Sequence, residues 1–183
     1  MANTFKTATE AGNLMNSYEY GVCIDDGKGA DGSRNWLPIR FISAVDPART
    51  PKTKEAATYD DLGADNAPVV GESWTLSFTV QGHRLNDGSY LPEIERLLEL
   101  ASPTAIGAKA TGTFLWFDKP ADAAAKPNPK DAFEGDGSVD IKRQNTDNDS
   151  IAGFTVTITG QGPRRQVTNP FNPATRGFTA NAV

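Results

Sequence analysis

Two stretches of the chain alternate without a miss: "WTLSFTVQG" over residues 74–82 and "FTVTITGQG" over residues 154–162. Successive side chains of a β-strand point to opposite faces, so a period of two marks a strand with one apolar and one polar side. Trp74, Leu76, Phe78 and Val80 share one side of the first run, and Phe154, Val156 and Ile158 one side of the second. The other sides carry Thr75, Ser77 and Thr79, then Thr155, Thr157 and Thr159, with Gln81 and Gln161 just beyond. An ordinary solvent face mixes in lysine and glutamate, whereas these rows hold only small, uncharged hydroxyls. Such runs commit the chain to a β-rich fold with its core under the apolar rows.

Around them the pattern reads as one domain, residues 21–162, between two arms, 1–20 and 163–183, that lack periodicity. "LPEIERLLELASP" is the one helix, expected over 91–102. Pro92 and Glu93 suit a first turn, and Pro103 stops it. Ile94, Leu97, Leu98 and Leu100 supply the face that docks on the apolar strand rows. Further strands are expected at 35–45, where Pro38 implies an edge or bulge, at 107–118, and at 137–147. The last forms a hairpin with 150–161 around Asp147–Ser150. Residues 119–136 read as a surface loop, and 46–72 as a long polar loop of the kind that has a job.

Nothing in this pattern looks like catalysis. His83 is the single histidine, which excludes histidine-based triads and multi-histidine metal sites. Cys23 is the single cysteine, so no intrachain disulfide can form, and "GVCID" reads as a buried thiol. Asp25, Asp26 and Asp31, and likewise Asp147 and Asp149, read as turn chemistry. A calcium loop counted from Asp25 would need a glutamate where Trp36 stands. "GADGS" and "GQG" miss both phosphate-loop patterns. No catalytic residue, metal or cofactor is expected, and the chain is not expected to be an enzyme. With 23 acidic against 18 basic residues, the net charge of −5 argues against a grip on nucleic acid phosphates. No run approaches the roughly 20 apolar residues that span a bilayer, and the first residues show no signal-peptide layout.

Four readings of the hydroxyl rows compete. Threonine favours strands on any polar face. A flat threonine array can order water, although these rows are short and unrepeated. A carbohydrate-binding or adhesin sandwich would present aromatic platforms, yet Trp74 and Phe78 lie on the opposite side. The fourth is a channel wall, where strands from several subunits join edge to edge with the polar side inward. A wall along which a polyanion slides needs short polar groups, since a lysine row would trap it by counterion release.

"ESWTLSFTVQGHRLNDGSYLPEIERLLELAS" and the closing "AGFTVTITGQGPRRQVTNPFNP", with "AATYDDLG" upstream, resemble a major tail tube protein of a long, non-contractile-tailed bacteriophage. The resemblance covers about residues 55–170 and lies in the order of these segments. It implies a mainly β, sandwich- or barrel-like subunit with one flanking α-helix, a long inter-strand loop and extended terminal arms. It further implies a structural virion protein that forms six-membered rings stacked into the tail tube, whose lumen conducts genome DNA during ejection. Thr75, Ser77, Thr79, Gln81, Thr155, Thr157, Thr159 and Gln161 are then the expected lumen positions. Lys52, Lys54, Tyr59, Asp60, Asp61, Arg164 and Arg165 are the expected ring-to-ring contacts. Partners would be copies of itself, tape measure, tail tip and terminator proteins, and double-stranded DNA passing without tight binding, with no membrane involved. Such a protein is assembled in the host cytoplasm and resides in the virion tail. A baseplate or tail-terminator protein is the nearest alternative. If each subunit lends four strands, about 24 strands at roughly 4.8 Å and a tilt near 40° close a barrel about 45–50 Å across the backbone.

Overall fold

The structure, a computed structural model, describes residues 14–28, 33–144 and 147–178. The chain runs through β1 (Tyr20–Asp25), β2 (Trp36–Pro38), β3 (Ile42–Thr53), β4 (Val69–Gln81), α1 (Pro92–Leu100), β5 (Thr111–Asp118) and β6 (Ala132–Gln144). It continues through β7 (Gly153–Gly160), β8 (Arg165–Gln166), β9 (Phe171–Asn172) and β10 (Gly177–Phe178). Eight of these strands form one sheet in the order β2-β1-β5-β6-β7-β4-β3, with β8 beside β6, while β9 and β10 pair separately. Seven strands laid flat at about 4.8 Å would hold their edges some 29 Å apart. Here Val22 and Cys23 of β1 and Ile42–Val45 of β3 line one cleft of about 750 Å³. The sheet therefore curls into an incomplete barrel, with the corner Ile39–Phe41 carrying the chain from one edge to the other.

The core fills the inside of this curl. The two apolar rows read from the sequence are buried there, and Val22, Ile24, Phe114 and Trp116 join them. Helix α1 closes the open side by burying Ile94, Leu97 and Leu100, each side chain worth roughly 1.5–3 kcal/mol. Trp74 reaches across β7 and β6, the next two strands on one side of β4. A Cβ on Gly160 would stand 2.3 Å from its ring and one on Gly135 2.6 Å, so only glycine leaves room. That path brings Trp74 to Trp116, ring centroids 5.0 Å apart. Glu93, in the first turn of α1, is buried and accepts from Arg40 Nε at 2.7 Å and Nη2 at 2.9 Å, which pins the helix start to the β2–β3 corner.

Several segments differ from their expected form. The expected loop 46–72 is a protruding hairpin, because β3 runs on to Thr53 and β4 begins at Val69, leaving 54–68 as its tip. Pro47 and Pro51 hide this strand from a propensity reading, yet proline is tolerated on a sheet edge, and β3 is an edge. The strand expected at 35–45 breaks at the corner, where Phe41 takes a left-handed φ of 57°. Residues 107–110 are a 3-10 turn ahead of β5, and the loop expected over 119–136 ends early because β6 starts at Ala132.

The C-terminal segment is not an extended arm over its described length. Phe171 is buried in a second apolar cluster with Cys23, Trp36, Leu115, Phe117 and Ala132, flanked by Val167 and Phe178. Asn169 Nδ2 donates to the Asp118 carbonyl at 2.9 Å, tying the segment down between its prolines. Residues 1–13 of the expected N-terminal arm lie outside the described residues, and Tyr20 already belongs to β1.

Candidate functional site

The sheet face opposite the main core is divided. Over β1 and the Leu115–Phe117 half of β5 it is apolar and covered by the C-terminal segment. Over β3, β4, β7 and the second half of β6 it is polar, and no element of the described chain covers it. The register builds this face pair by pair: Thr75 opposes Thr159, Ser77 opposes Thr157, and Thr79 opposes Thr155. Every expected hydroxyl of the two rows therefore lies on one continuous surface, half-buried or exposed, with the apolar rows beneath. Gln81 is exposed at the end of β4. Gln161 sits just past β7, where its Oε1 accepts from Thr111 Oγ1 at 2.9 Å.

The strands on either side extend the surface with residues the sequence reading did not place. On β3, Ala44, Asp46, Ala48 and Thr50 oppose Thr79, Ser77, Thr75 and Ser73. On β6, Ser138, Asp140 and Lys142 oppose Thr159, Thr157 and Thr155. The signal in β6 was the alternation of Val139 and Ile141 with Asp140 and Lys142. It gives no direction until the pairing fixes it: Asp140 and Lys142 point to the polar side and Arg143 to the other. Asp140 and Lys142 pair at 2.8 Å, which keeps the ammonium charged above its ordinary range. With Asp46 and Asp136 also on this side, carboxylates outnumber ammonium groups across the face above the hairpin's root.

Two backbone edges flank the face. Among the described residues β3 has no partner beyond β4, and β5 pairs with β6 only up to Ser138, so Val139–Gln144 bond to β7 alone. These free lengths stand at the same height, since Asp46 reaches Asp140 through Ser77 and Thr157, and Ala44 reaches Lys142 through Thr79 and Thr155. All three pairings in β3-β4-β7-β6 are antiparallel. Four alternating strands leave β6 running opposite to β3, so one subunit's β3 can continue another's β6 as a further antiparallel pair.

The β3–β4 hairpin protrudes beyond the end of β7 by about four residue pairs, some 13 Å at 3.3 Å per residue. Lys52, Lys54, Tyr59 and Asp60 stand exposed on it. Asp61 accepts from Thr58 N at 2.7 Å and Oγ1 at 3.0 Å, which orders the tip and holds its carboxyl below the usual range. Arg164 and Arg165 are engaged within the subunit. Arg164 contacts Glu72 at 3.3 Å and covers the Phe133 ring at 4.2 Å, while Arg49 meets the same Glu72 at 2.5 Å. This clamp braces the hairpin root and draws the Glu72 carboxyl down. Arg165 pairs with the buried Glu134.

The residues weighed for chemistry have other work. Cys23 is buried, and desolvation pushes its thiol up to about 12. His83 stacks on Phe41, centroids 3.8 Å apart. Asp25 Oδ1 accepts from Gly27 N and Asn35 N, both at 3.1 Å, as turn chemistry predicts, while Asp31 lies outside the described residues.

No family model and no curated protein matches the chain. Solved structures do. The tail of an empty gene transfer agent particle, refined with C6 symmetry, matches with a TM-score of 0.59 at 11% identity, over 85% of this chain and 100% of that one. The SPP1 tail tube matches with a TM-score of 0.56 at 10% identity, over 86% of this chain and 81% of that one. The sheath/tube terminator of an extracellular contractile injection system, PVC, matches with a TM-score of 0.52 at 10% identity, over 84% and 98%. At these identities the likeness is one of fold, and the mainly β architecture with a single flanking α-helix is the one the sequence led us to expect.

Proposed function

We propose, starting from a chain with the fold of phage tail tube proteins, that it is the tube subunit of a long, non-contractile virion tail. It forms six-membered rings in which β3 of one copy pairs with Val139–Gln144 of the next, and the rings stack into a tube that conducts genome DNA. The observation that carries this reading is the uncovered polar face of β3-β4-β7-β6, bounded by two free edges matched in height and direction. Closure removes both edges, which otherwise invite indiscriminate pairing. Pro47 lacks a ladder donor and marks the natural end of the shared pairing, leaving Ile42–Asp46 for it.

Thr75, Ser77, Thr79, Gln81, Thr155, Thr157, Thr159 and Gln161 then face the lumen, joined by Asp46, Asp140 and Lys142. A surface with more carboxylates than ammonium groups offers a phosphate chain nothing to release counterions against. The hairpin, with Lys52, Lys54, Tyr59, Asp60 and Asp61, reaches the neighbouring ring, while Arg164 acts as its brace and Arg165 holds the C-terminal segment. Partners would be further copies, the tape measure, tail tip and terminator proteins, and DNA in transit, all in the virion tail. No catalytic role is part of this reading.

Negative-stain microscopy of the concentrated protein tests it: six-fold rings or tubes are expected. Monomers that stay apart at every concentration would overturn it. Thr157→Lys should leave folding and tube assembly intact while impairing DNA ejection, and normal infectivity in that variant would remove the lumen assignment.

A further inference from the structure

We infer that the cleft formed by Arg84, Tyr90, Arg143 and Phe154 receives the β3–β4 hairpin tip of a second copy of this chain. This rests on the stacking reading above and names the surface on which stacking takes place. The cleft, of about 400 Å³, lies where β4 ends and β7 begins, on the helix side of the sheet. Arg143 Nη2 donates to Tyr90 Oη at 2.7 Å, and Arg84 Nη2 to the same oxygen at 3.3 Å. Two guanidinium nitrogens thus stand within about 6 Å of each other on one phenol oxygen. Arg34, Arg40, Arg49, Arg96, Arg164 and Arg165 each meet a carboxylate and Arg176 donates to the Ala121 carbonyl, whereas among the described residues Arg84 and Arg143 meet no carboxylate and share one phenol oxygen. The lining includes one carboxylate, Asp147, which leaves the cleft net positive. Exposed Leu85 and Ile151 flank Arg84 and the cleft's Ser150 and Ala152 in sequence and add apolar surface at this end.

The tip has the complementary character. Tyr59 and Leu62 are 101% and 93% exposed, and Leu62 takes a left-handed φ of 52°, a conformation disfavoured for a non-glycine residue. The tip is nonetheless ordered by its own bonds, Ala56 N to the Asn66 carbonyl at 2.8 Å and Lys54 N to that of Pro68 at 3.2 Å. Glu55 and Asp61 are engaged with tip backbone amides, so Asp60 and Asp65 are the carboxylates left to turn outward. A loop held in shape while presenting tyrosine, leucine and two carboxylates is preorganised for an apolar, cationic receiver. The tip cannot reach the cleft of its own chain, because the length of β4, about 40 Å at 3.3 Å per residue, separates them. Tip and cleft at opposite ends of the same strands make a head-to-tail contact that propagates as an open stack.

Charge reversal tests the pairing in assembling protein. Arg84→Glu alters one exposed side chain outside the Val139–Gln144 edge and should leave rings intact, while raising the concentration needed for tube growth about tenfold or more. Asp60→Arg/Asp65→Arg should do the same, and the three changes in one chain should restore tubes. The neutral Arg84→Gln should also weaken growth, which keeps the test readable if Arg84→Glu fails to fold. In mixed tubes, Leu62→Cys subunits should form disulfides with Leu85→Cys subunits of a different mass. Normal tubes from Arg84→Glu, or normal mixed tubes without that cross-link, would overturn the docking site and leave the tube reading standing. A wild-type chain that forms neither rings nor tubes would overturn both.

Discussion

Asp140→Lys probes the lumen at the position where the structure gives the largest change for the least disturbance. Asp140 is exposed, its side chain opposes Thr157 on the polar side, and among the described residues its ion pair is with the exposed Lys142. An ion pair between exposed groups contributes little, so the melting temperature should hold. Each subunit gains two units of charge, and a six-membered ring about twelve. If half of those find phosphates, the affinity for duplex DNA acquires a slope of about −5 in log K against log salt, a fall of about 10³-fold between 50 and 200 mM. The assay is co-sedimentation of assembled tubes with a short fluorescent duplex across that salt range. Wild-type tubes should release the duplex throughout, and the variant should retain it at low salt and lose it along that slope. Variant tubes that carry down no DNA at the lowest salt would refute the placement of the β6 polar side in the bore.

Other expectations follow from the core. Gly160→Val should destabilise the fold by about 3 kcal/mol or more, because its side chain would enter the space of the Trp74 ring, and thermal unfolding reads this directly. Arg40→Ala should cost about 3 kcal/mol by leaving the buried Glu93 carboxylate unpaired, and more than Glu93→Ala, after which Arg40 can turn to solvent; denaturant melts of both variants and the double change measure the difference. Cys23 should resist thiol reagents at pH 8 in the native state and react fully once unfolded. The folded state keeps a proton that the unfolded thiol releases near its ordinary value of about 8.5, so this contribution to stability is present below that pH and is lost as pH rises toward about 12. Tyr20, also pushed up by burial and by Asp131, works in the same direction.

The alternating runs determined their own strands, faces and core by themselves, because period two admits one division of side chains and only one half of it is apolar. The helix was equally legible from Pro92, Pro103 and its apolar stripe. Local pattern fails where a neighbour decides the outcome. Pro47 and Pro51 look like loop residues until β4 lies on one side of them and no described strand on the other. The C-terminal prolines look like a free arm until Phe117 and Cys23 offer Phe171 a place to be buried. Asp140, Lys142 and Arg143 alternate plainly, yet pairing with β7 alone determines which of them share the threonine face. The meeting of Arg84 and Arg143 on Tyr90, across more than fifty residues, has no trace in local sequence. Strand identity is a short-range property written in the chain, whereas edges, registers and clefts are relations between strands, and only the curled sheet brings them into being.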